Sequence, residues 1–518
     1  MMIVNNIIVR QSVAWPTPNA ASFAIRTMAS GASLSTEMRP IRKSWKSVKK
    51  ITNNTELALG HFDSLYAKVY GRAWPSIRLG LLSTKKQCAI MNSFMDTSSL
   101  RERLVDEEGA VDLARYYRKH LQSYTRWKLR QQIIDNKKAR KRELMAREMN
   151  ASIETIDPDS IEVSDVSDSE LRGAHTTDVS EGFSSAEDLI AMFSDRRLDD
   201  DEKYFINKAS PMLSLNDFVP ATELIRREEY GTNELLYYEG FDTDLELDIE
   251  FHDEPTLEFC DELKIYAFPR NSWNRFDSPK VEKRDTLLSH YLLDGGSILP
   301  VLALDLQLDD ICADYCTAPG GKSLAMLMTF RPKYLLCNDR ASTRLGRTYN
   351  VMRQYLPEVN YIRSTLRLSN NDARSLVQPD AFDKILVDAP CSNDRVSVES
   401  IENNLFKRAR SAERLQLPQT QRDILKSALM SIRPKGCVVY STCTMSPMEN
   451  DSVVQKALQS LQEEGHPSKF AVINLKEAFR PLRGLYKFNT RTKYGQQLLP
   501  CITSNFGPMY ISKIKRLS

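Results

Sequence analysis

The chain has 518 residues, 42% of them hydrophobic, with a formal net charge of only +3. That length exceeds one ordinary domain and that apolar share can bury a sizeable core, which excludes a wholly disordered chain. Nine cysteines, an odd number without a C-x-x-C pair, argue against a disulfide framework, a zinc site or a redox dithiol. No apolar stretch approaches the length of a membrane span.

Residues 1–36 contain no Asp or Glu, and Arg10 and Arg26 stand there among Ser, Ala and apolar residues such as Ile8 and Phe23. This is the composition of a mitochondrial presequence. A secretory signal fits worse, because Asn5, Asn6 and Arg10 interrupt a short apolar run. Between about 50 and 100, Leu57, Phe62, Leu65, Tyr66 and Val69 recur at helical spacing and Pro75 opens a new segment, which predicts a short helical module. Residues 115–147 predict a basic helix in which Arg126, Lys128, Arg130 and Arg140 alternate with Tyr116, Tyr117, Tyr124 and Trp127. Such a helix can lie along an RNA backbone and release counterions, or it can be a solvated face; the residues leave both open. The N-terminal region is thus read as helical and partly basic over 50–150.

From 151 to 203 acidic residues such as Asp157, Asp165 and Asp199 cluster among serines, a composition that cannot offset its chain entropy and predicts a disordered insertion. Residues 205–285 form a mixed N-terminal extension of the domain at 286–518, and the chain has no internal repeats. Within 286–518, short apolar runs at 311–314, 334–338, 359–362, 385–387 and 437–440 alternate with helical stretches, and 509–515 alternates like a last strand. This order predicts βαβ units and a mostly parallel sheet covered on both faces. Ligands of such sheets bind beyond the carboxyl ends of the strands.

Four groups of residues fall at those ends. After the first strand comes Asp314-Tyr315-Cys316-Thr317-Ala318-Pro319-Gly320-Gly321-Lys322-Ser323. Two glycines allow a tight turn and close approach to a ligand, and the next helix points free N–H groups at a negative group. The spacing is neither a P-loop nor a G-x-G-x-x-G turn, so a carboxylate-bearing cofactor suits it as well as a phosphate. Asp339 ends the second strand, where an acid can accept from both hydroxyls of a ribose, and Asp372 follows the third, where it can take an adenine amino group; taken singly, each is more often a simple helix cap. The fourth strand runs into Asp388-Ala389-Pro390-Cys391-Ser392 and the fifth into Ser441-Thr442-Cys443-Thr444. One cysteine is usually an inert buried residue, but two at the ends of adjacent strands point to a reactive thiolate pair.

These motifs, D-x-C-x-A-P-G-G-K, D-A-P-C-S and S-T-C-T, resemble in spacing and order the cofactor loop and two cysteine motifs of the Sun (NOP/Sun) RNA 5-methylcytosine methyltransferases. Residues 290–304, 402–410, 505–517 and 74–82 further resemble the mitochondrial ribosomal-RNA branch of that family. The likeness skips the presequence and the acidic insertion. It implies a Rossmann-like S-adenosylmethionine-dependent fold with a mostly parallel seven-stranded sheet and an N-terminal helical extension. By the same resemblance, Ala318, Pro319, Gly320, Gly321 and Lys322 would hold the methionine part of the cofactor, Asp339 its ribose, Arg344 a neighbouring contact and Asp372 the adenine side. Asp388 would sit between cofactor and cytosine. Cys443 would be the nucleophile and Cys391 its helper in product release, an assignment the residues alone leave open. No metal is implied. Lys407, Arg408 and Arg410 are candidate phosphate contacts or ordinary surface charge.

The resemblance also implies a mitochondrial matrix protein that modifies small-subunit ribosomal RNA and takes part in mitoribosome assembly. Its expected partner is a helical-repeat protein of the mitochondrial transcription-termination-factor family, docking on about 205–280. A thiol pair argues against oxygen or nitrogen methylation on the same fold, which needs no covalent thiol. A DNA cytosine methyltransferase would rely on the Pro-Cys thiol alone. An assembly scaffold with dispensable methylation remains a distinct alternative. Two departures stand out: Thr317 replaces the alanine of many relatives, and the acidic insertion has no counterpart in the family pattern.

Overall fold

The computed structural model describes residues 53–154, 249–281, 286–357, 364–402 and 404–518. The expected presequence, nearly all of the acidic insertion and the first half of the expected docking region fall outside these residues. The helical module begins with α1 (Asn54–Tyr70) and α2 (Trp74–Leu82), which bury Phe62, Leu65, Tyr66, Trp74, Ile77 and Leu81 in one cluster. Helix does not continue to residue 100 as the sequence suggests. Cys88 to Met91 are buried in succession, and this segment is strand β1 (Gln87–Met91), with α3 (Ser98–Asp106) following it. A run of five residues that is apolar on both sides suits a central strand and is too short for a stable helix.

After β2 (Val111–Asp112) comes α4 (Leu113–Glu154), β3 (Glu250–Asp253), β4 (Ile265–Ala267) and β5 (His290–Asp294). Strands β2-β4-β1-β5 make a small antiparallel sheet in which Cys88 pairs with Leu293. The first turns of α4 are docked: Leu113 and Tyr117 are buried, and the Tyr117 hydroxyl donates to Ala478 O at 3.0 Å while accepting from Leu257 N. Beyond Thr125 the described side chains of α4 are nearly all exposed.

The catalytic region then runs α5 (Leu299–Ala303), β6 (Asp310–Asp314), α6 (Gly321–Leu327), β7 (Pro332–Asn338), α7 (Ser342–Tyr355), β8 (Leu366–Ser369), β9 (Phe382–Asp388), α8 (Asp394–Glu399), α9 (Ser411–Ser431), β10 (Ile432–Thr442), α10 (Asp451–Glu463), β11 (Phe470–Asn474), β12 (Phe488–Asn489), β13 (Gln496–Leu498) and β14 (Met509–Arg516). Strands β8, β7, β6, β9 and β10 are parallel neighbours, and β14 lies antiparallel between β10 and β11. These seven strands are the mostly parallel sheet that the sequence implied. Three short strands enlarge it to ten, β3 on the edge of β11 and the β12–β13 hairpin against β14. The strand expected at 359–362 lies outside the described residues; the strand beside β7 is β8.

Val439 of β10 enters one core cluster while Val438 and Tyr440 enter the other. Both faces are therefore covered, which is why these strands read as continuous apolar runs. The chain passes from β6 outward to β7 and β8, then crosses to β9 on the opposite side of β6. This reversal opens a crevice at the carboxyl ends of β6 and β9, the usual ligand position in such sheets.

One buried cation fastens the N-terminal helices to this sheet. Arg395, 4% exposed, donates to the carbonyls of Gly80, Leu81, Ser83 and Gly507 and to Asn505 Oδ1, all within 3.2 Å. Three of these acceptors are carbonyls at the C-terminal end of α2, where a helix leaves acceptors short of partners and a positive charge also meets the helix dipole. Arg395→Ala should therefore lower the unfolding free energy by about 3 kcal/mol in urea titrations. A loss below about 0.5 kcal/mol would contradict this role.

Candidate active site

Strands β9 and β10 are paired in parallel with Asp388 opposite Ser441, so the loops that follow them emerge side by side. Cys391 Sγ lies 3.2 Å from Cys443 Sγ, and Cys443 N donates to Cys391 Sγ at 3.4 Å. The hydrogen bond to Cys443, reinforced by burial, pushes the Cys391 thiol well above its ordinary range. Cys391 thus keeps its proton, and the two thiols share one hydrogen bond. The two also differ in access. Cys443 lines a cleft of about 360 Å³ together with Thr317, Gly321, Lys322, Asp388 and Arg395, whereas Cys391 is not among the lining residues.

Lys322 reaches across this cleft. Its Nζ donates to Asp388 Oδ2 at 2.7 Å, and Ser441 Oγ donates to the other carboxylate oxygen at 2.9 Å. Burial pulls the Lys322 ammonium down, but Asp388 outweighs it and the net shift is upward. The two form an ion pair across the cleft, in which Asp388 accepts from both Lys322 and Ser441. No local pattern in the sequence signals this pair, since 66 positions separate its members.

The cofactor loop is shaped by contacts that only glycine permits. Gly320 has φ +105°, and a Cβ there would come within 3.0 Å of Thr348 Cγ2. A Cβ on Gly321 would lie 2.7 Å from the Tyr291 ring of β5. Both glycines are thus required by close packing of the turn against Thr348 and Tyr291. Arg344 Nη2 joins the loop to the end of β7, donating to Ala318 O at 3.1 Å and lying 3.4 Å from Asp339 Oδ2. Asp339 is buried and still has acceptor capacity facing this junction.

Asp372 is engaged differently. It caps a short helical turn, accepting from Arg374 N, and the Arg374 guanidinium holds its carboxyl below the usual range. Lys407, Arg408 and Arg410 are not brought to the cleft; they follow Phe406, which packs edge-on against Phe62 of α1, and Arg410 pairs with Glu413.

Several buried polar residues were missed by sequence reasoning. Asp394 accepts from Thr444 Oγ1, Met445 N, Ser392 Oγ and Tyr66 Oη, and so contacts both cysteine loops and α1. Glu449 accepts from Ser392 N and Gln421 Nε2, and Gln421 also donates to Pro390 O. Asp314, by contrast already the first residue of the motif read from the sequence, accepts from Ser323 and is pushed up to about 7 by burial. The available signal was position alone: each acid stands within six residues of a motif glycine, proline or cysteine.

Burial pushes Glu449 up to about 7 from the ordinary 4.5. Its neutral form favours the fold, so stability present below the unfolded value is lost as pH rises through the folded one. Glu449→Gln keeps an acceptor for Ser392 and Gln421 but cannot ionise. Relative to wild type it should gain stability between about pH 5 and about pH 8, by up to about 3 kcal/mol in denaturant unfolding. A difference that stays flat across that window would contradict the assignment.

Comparison with known proteins adds the last observations. The family model for the 16S rRNA methyltransferases RsmB/F matches residues 301–515. The chain is 33% identical over 493 residues to a 5-cytosine rRNA methyltransferase of Caenorhabditis elegans, covering 91% of this chain and 96% of that protein. It is 37% identical to a 5-cytosine rRNA methyltransferase of Mus musculus over 51% of this chain and 69% of that one. A mitochondrial tRNA (cytosine(34)-C(5))-methyltransferase of Danio rerio is 40% identical over 45% of this chain and 62% of its own length.

Proposed function

The chain belongs to the Sun (RsmB/F) family and is an S-adenosylmethionine-dependent RNA cytosine-5 methyltransferase, and we propose that it methylates cytosine in mitochondrial small-subunit ribosomal RNA through a covalent Cys443 adduct. The observation that carries the mechanism is the thiol pair, 3.2 Å apart, of which Cys443 lines the cleft. The ribosomal substrate is supported by the nematode relative, which is similar along nearly its whole length. Mitochondrial location is supported by the acid-free residues 1–36 and by the name of the fish relative, and its placing in the matrix rests on the family resemblance alone.

Carbon 5 of cytosine is a weak nucleophile. Addition of the Cys443 thiolate to carbon 6 forms an S–C bond and shifts the ring's electron pair so that carbon 5 becomes enamine-like. S-adenosylmethionine supplies the methyl group from its sulfonium. Asp388, hydrogen-bonded by Lys322 and Ser441, is suited to accept from the cytosine amino group, with the Lys322 ammonium as the adjacent proton donor. Once Cys443 is a thioether, the thiol–thiol hydrogen bond that raises Cys391 is gone, and Cys391 gives its proton to water more easily. Cys391 can take the carbon 5 proton at that stage, and the returning electron pair expels Cys443. Ala318 to Lys322 would cradle the methionine part, with Asp339 and Arg344 at the ribose. Asp372, already capping its own turn, would meet the adenine side through its remaining acceptor capacity. Lys407, Arg408 and Arg410 would meet RNA outside the cleft. A base entering the cleft must be unstacked.

The proposed partners are the mitochondrial ribosomal subunits and a helical-repeat protein of the transcription-termination-factor family, both on the family resemblance. A second reading, transfer RNA as substrate, is favoured by the 40% identity to the fish enzyme. Labelled S-adenosylmethionine offered with ribosomal and transfer RNA transcripts separates these. Wild type should label cytosine in ribosomal RNA, Cys443→Ala should lose at least about a thousandfold in rate, and Cys391→Ala should accumulate a denaturant-resistant protein–RNA adduct. Normal transfer by Cys443→Ala would contradict the mechanism. Transfer to neither RNA, with the partner present, would leave the assembly-scaffold reading.

A further inference from the structure

Outside the cleft, the segment from 476 to 493 carries Lys476, Arg480, Arg483, Lys487, Arg491 and Lys493 against a single acid, Glu477. Apart from Arg480, which pairs with Glu477, none of these cations makes an ion pair within 4.0 Å among the described residues. Lys476, Arg483 and Lys493 line an open groove of about 330 Å³ together with Asn474, Asn489 and Phe251. Phe251 is 50% exposed and stacks on Tyr494, with ring centroids 6.0 Å apart and planes 18° apart. Of the carboxylates beside it, Glu250 and Asp253 on β3 are engaged by His252 and Asn474, and the buried Asp451 accepts from the backbone of Lys493 and Tyr494 and from the Tyr510 hydroxyl.

The sheet register fixes where this groove lies. Gln496 on its wall pairs with Ile511 of β14, and Ile511 pairs with Ser441 of β10. The Gln496 wall of the groove is therefore two strand spacings, roughly 10 Å, from Ser441 near the end of β10 that leads to Cys443. The other side of the segment supports α4. Tyr124 donates to Glu477, and the Arg480 guanidinium lies 4.4 Å from the Tyr124 ring and 5.5 Å from that of Trp127. From there α4 continues with exposed Arg126, Lys128 and Arg130 around a Trp127 that is 48% exposed.

We infer that this groove and the adjoining exposed face of α4 form one binding surface for single-stranded RNA beside the target base. Cations without carboxylate partners can neutralise phosphates, and an exposed aromatic offers a stacking face to any base. An unstacked target in the cleft requires its neighbouring nucleotides to be held single-stranded nearby, and the groove stands at that distance. This inference rests on the reading of the protein as an RNA methyltransferase.

The test compares wild type with a Lys476→Ala, Arg483→Ala, Arg491→Ala, Lys493→Ala variant. A Lys333→Ala, Lys469→Ala protein, altered at exposed lysines on the amino edge of the sheet, serves as control. Binding of a single-stranded RNA of about 40 nucleotides is measured across a salt series, with S-adenosylmethionine binding as the check on folding. The fourfold variant should bind about tenfold more weakly at about 0.1 M salt, and its log–log salt slope should be shallower by roughly 2 to 3, at about 0.7 per lost phosphate contact. Its KM for RNA should rise with kcat unchanged at saturation, and the control should match wild type. An unchanged affinity and slope in the fourfold variant would overturn the inference and leave the surface to an acidic protein partner. Because binding is read directly, a wild type that binds RNA but transfers no methyl group would refute the activity, while the binding loss of the fourfold variant would still support this surface.

Discussion

Two thiols on separate strands can act on one base only if their loops hold a common geometry, and the buried carboxylate of Asp394 imposes it. Its four donors come from the residue after Cys391, from the two residues after Cys443 and from Tyr66 of α1. Burial pushes its carboxyl up to about 6, a cost that these hydrogen bonds offset. The next residue, Arg395, turns the opposite way and binds the end of α2 and the loop before β14. Two adjacent residues of opposite charge thus tie three parts of the chain to one helix start. The N-terminal helices are consequently part of the site's framework, because α1 contributes a donor to the network behind the cysteines.

This framework leaves the cleft with a defined polarity. Lys322 and Asp388 form an ion pair across it, while Cys391 keeps its proton beside Cys443. A base that enters meets an acceptor, a donor and an accessible thiol from three different loops. Preorganisation of this kind matters because misplacement by even about 1 Å can cost about a hundredfold in rate. The small N-terminal sheet supplies the remaining wall, with Tyr291 against Gly321.

Much of this was legible in the sequence, for reasons tied to particular residues. The apolar runs at 311–314, 334–338, 385–387 and 437–440 all fall within strands β6, β7, β9 and β10, because strands buried on both faces cannot alternate. Asp314, Asp339, Asp388 and Cys443 stand at or just past strand ends, where an α/β sheet opens to ligands. What was hidden depends on long-range pairing. Gln87 to Met91 carries no period that separates strand from helix, and only its partners β4 and β5 decide the matter. The Lys322–Asp388 and Asp394–Thr444 contacts span 66 and 50 positions, beyond any local pattern. Asp372 shows the converse: its capping of a local turn is a short-range effect that the sequence offered as an alternative.

The assignment of Cys443 as nucleophile is the central claim, and mapping the site of attachment tests it most directly. RNA bearing the target cytosine is incubated with Cys391→Ala protein and S-adenosylmethionine, the adduct is digested with protease and nuclease, and the modified peptide is sequenced by mass spectrometry. The account predicts a methylated cytidine remnant on Cys443. A remnant on any other residue, or none while methyl transfer proceeds, would contradict it.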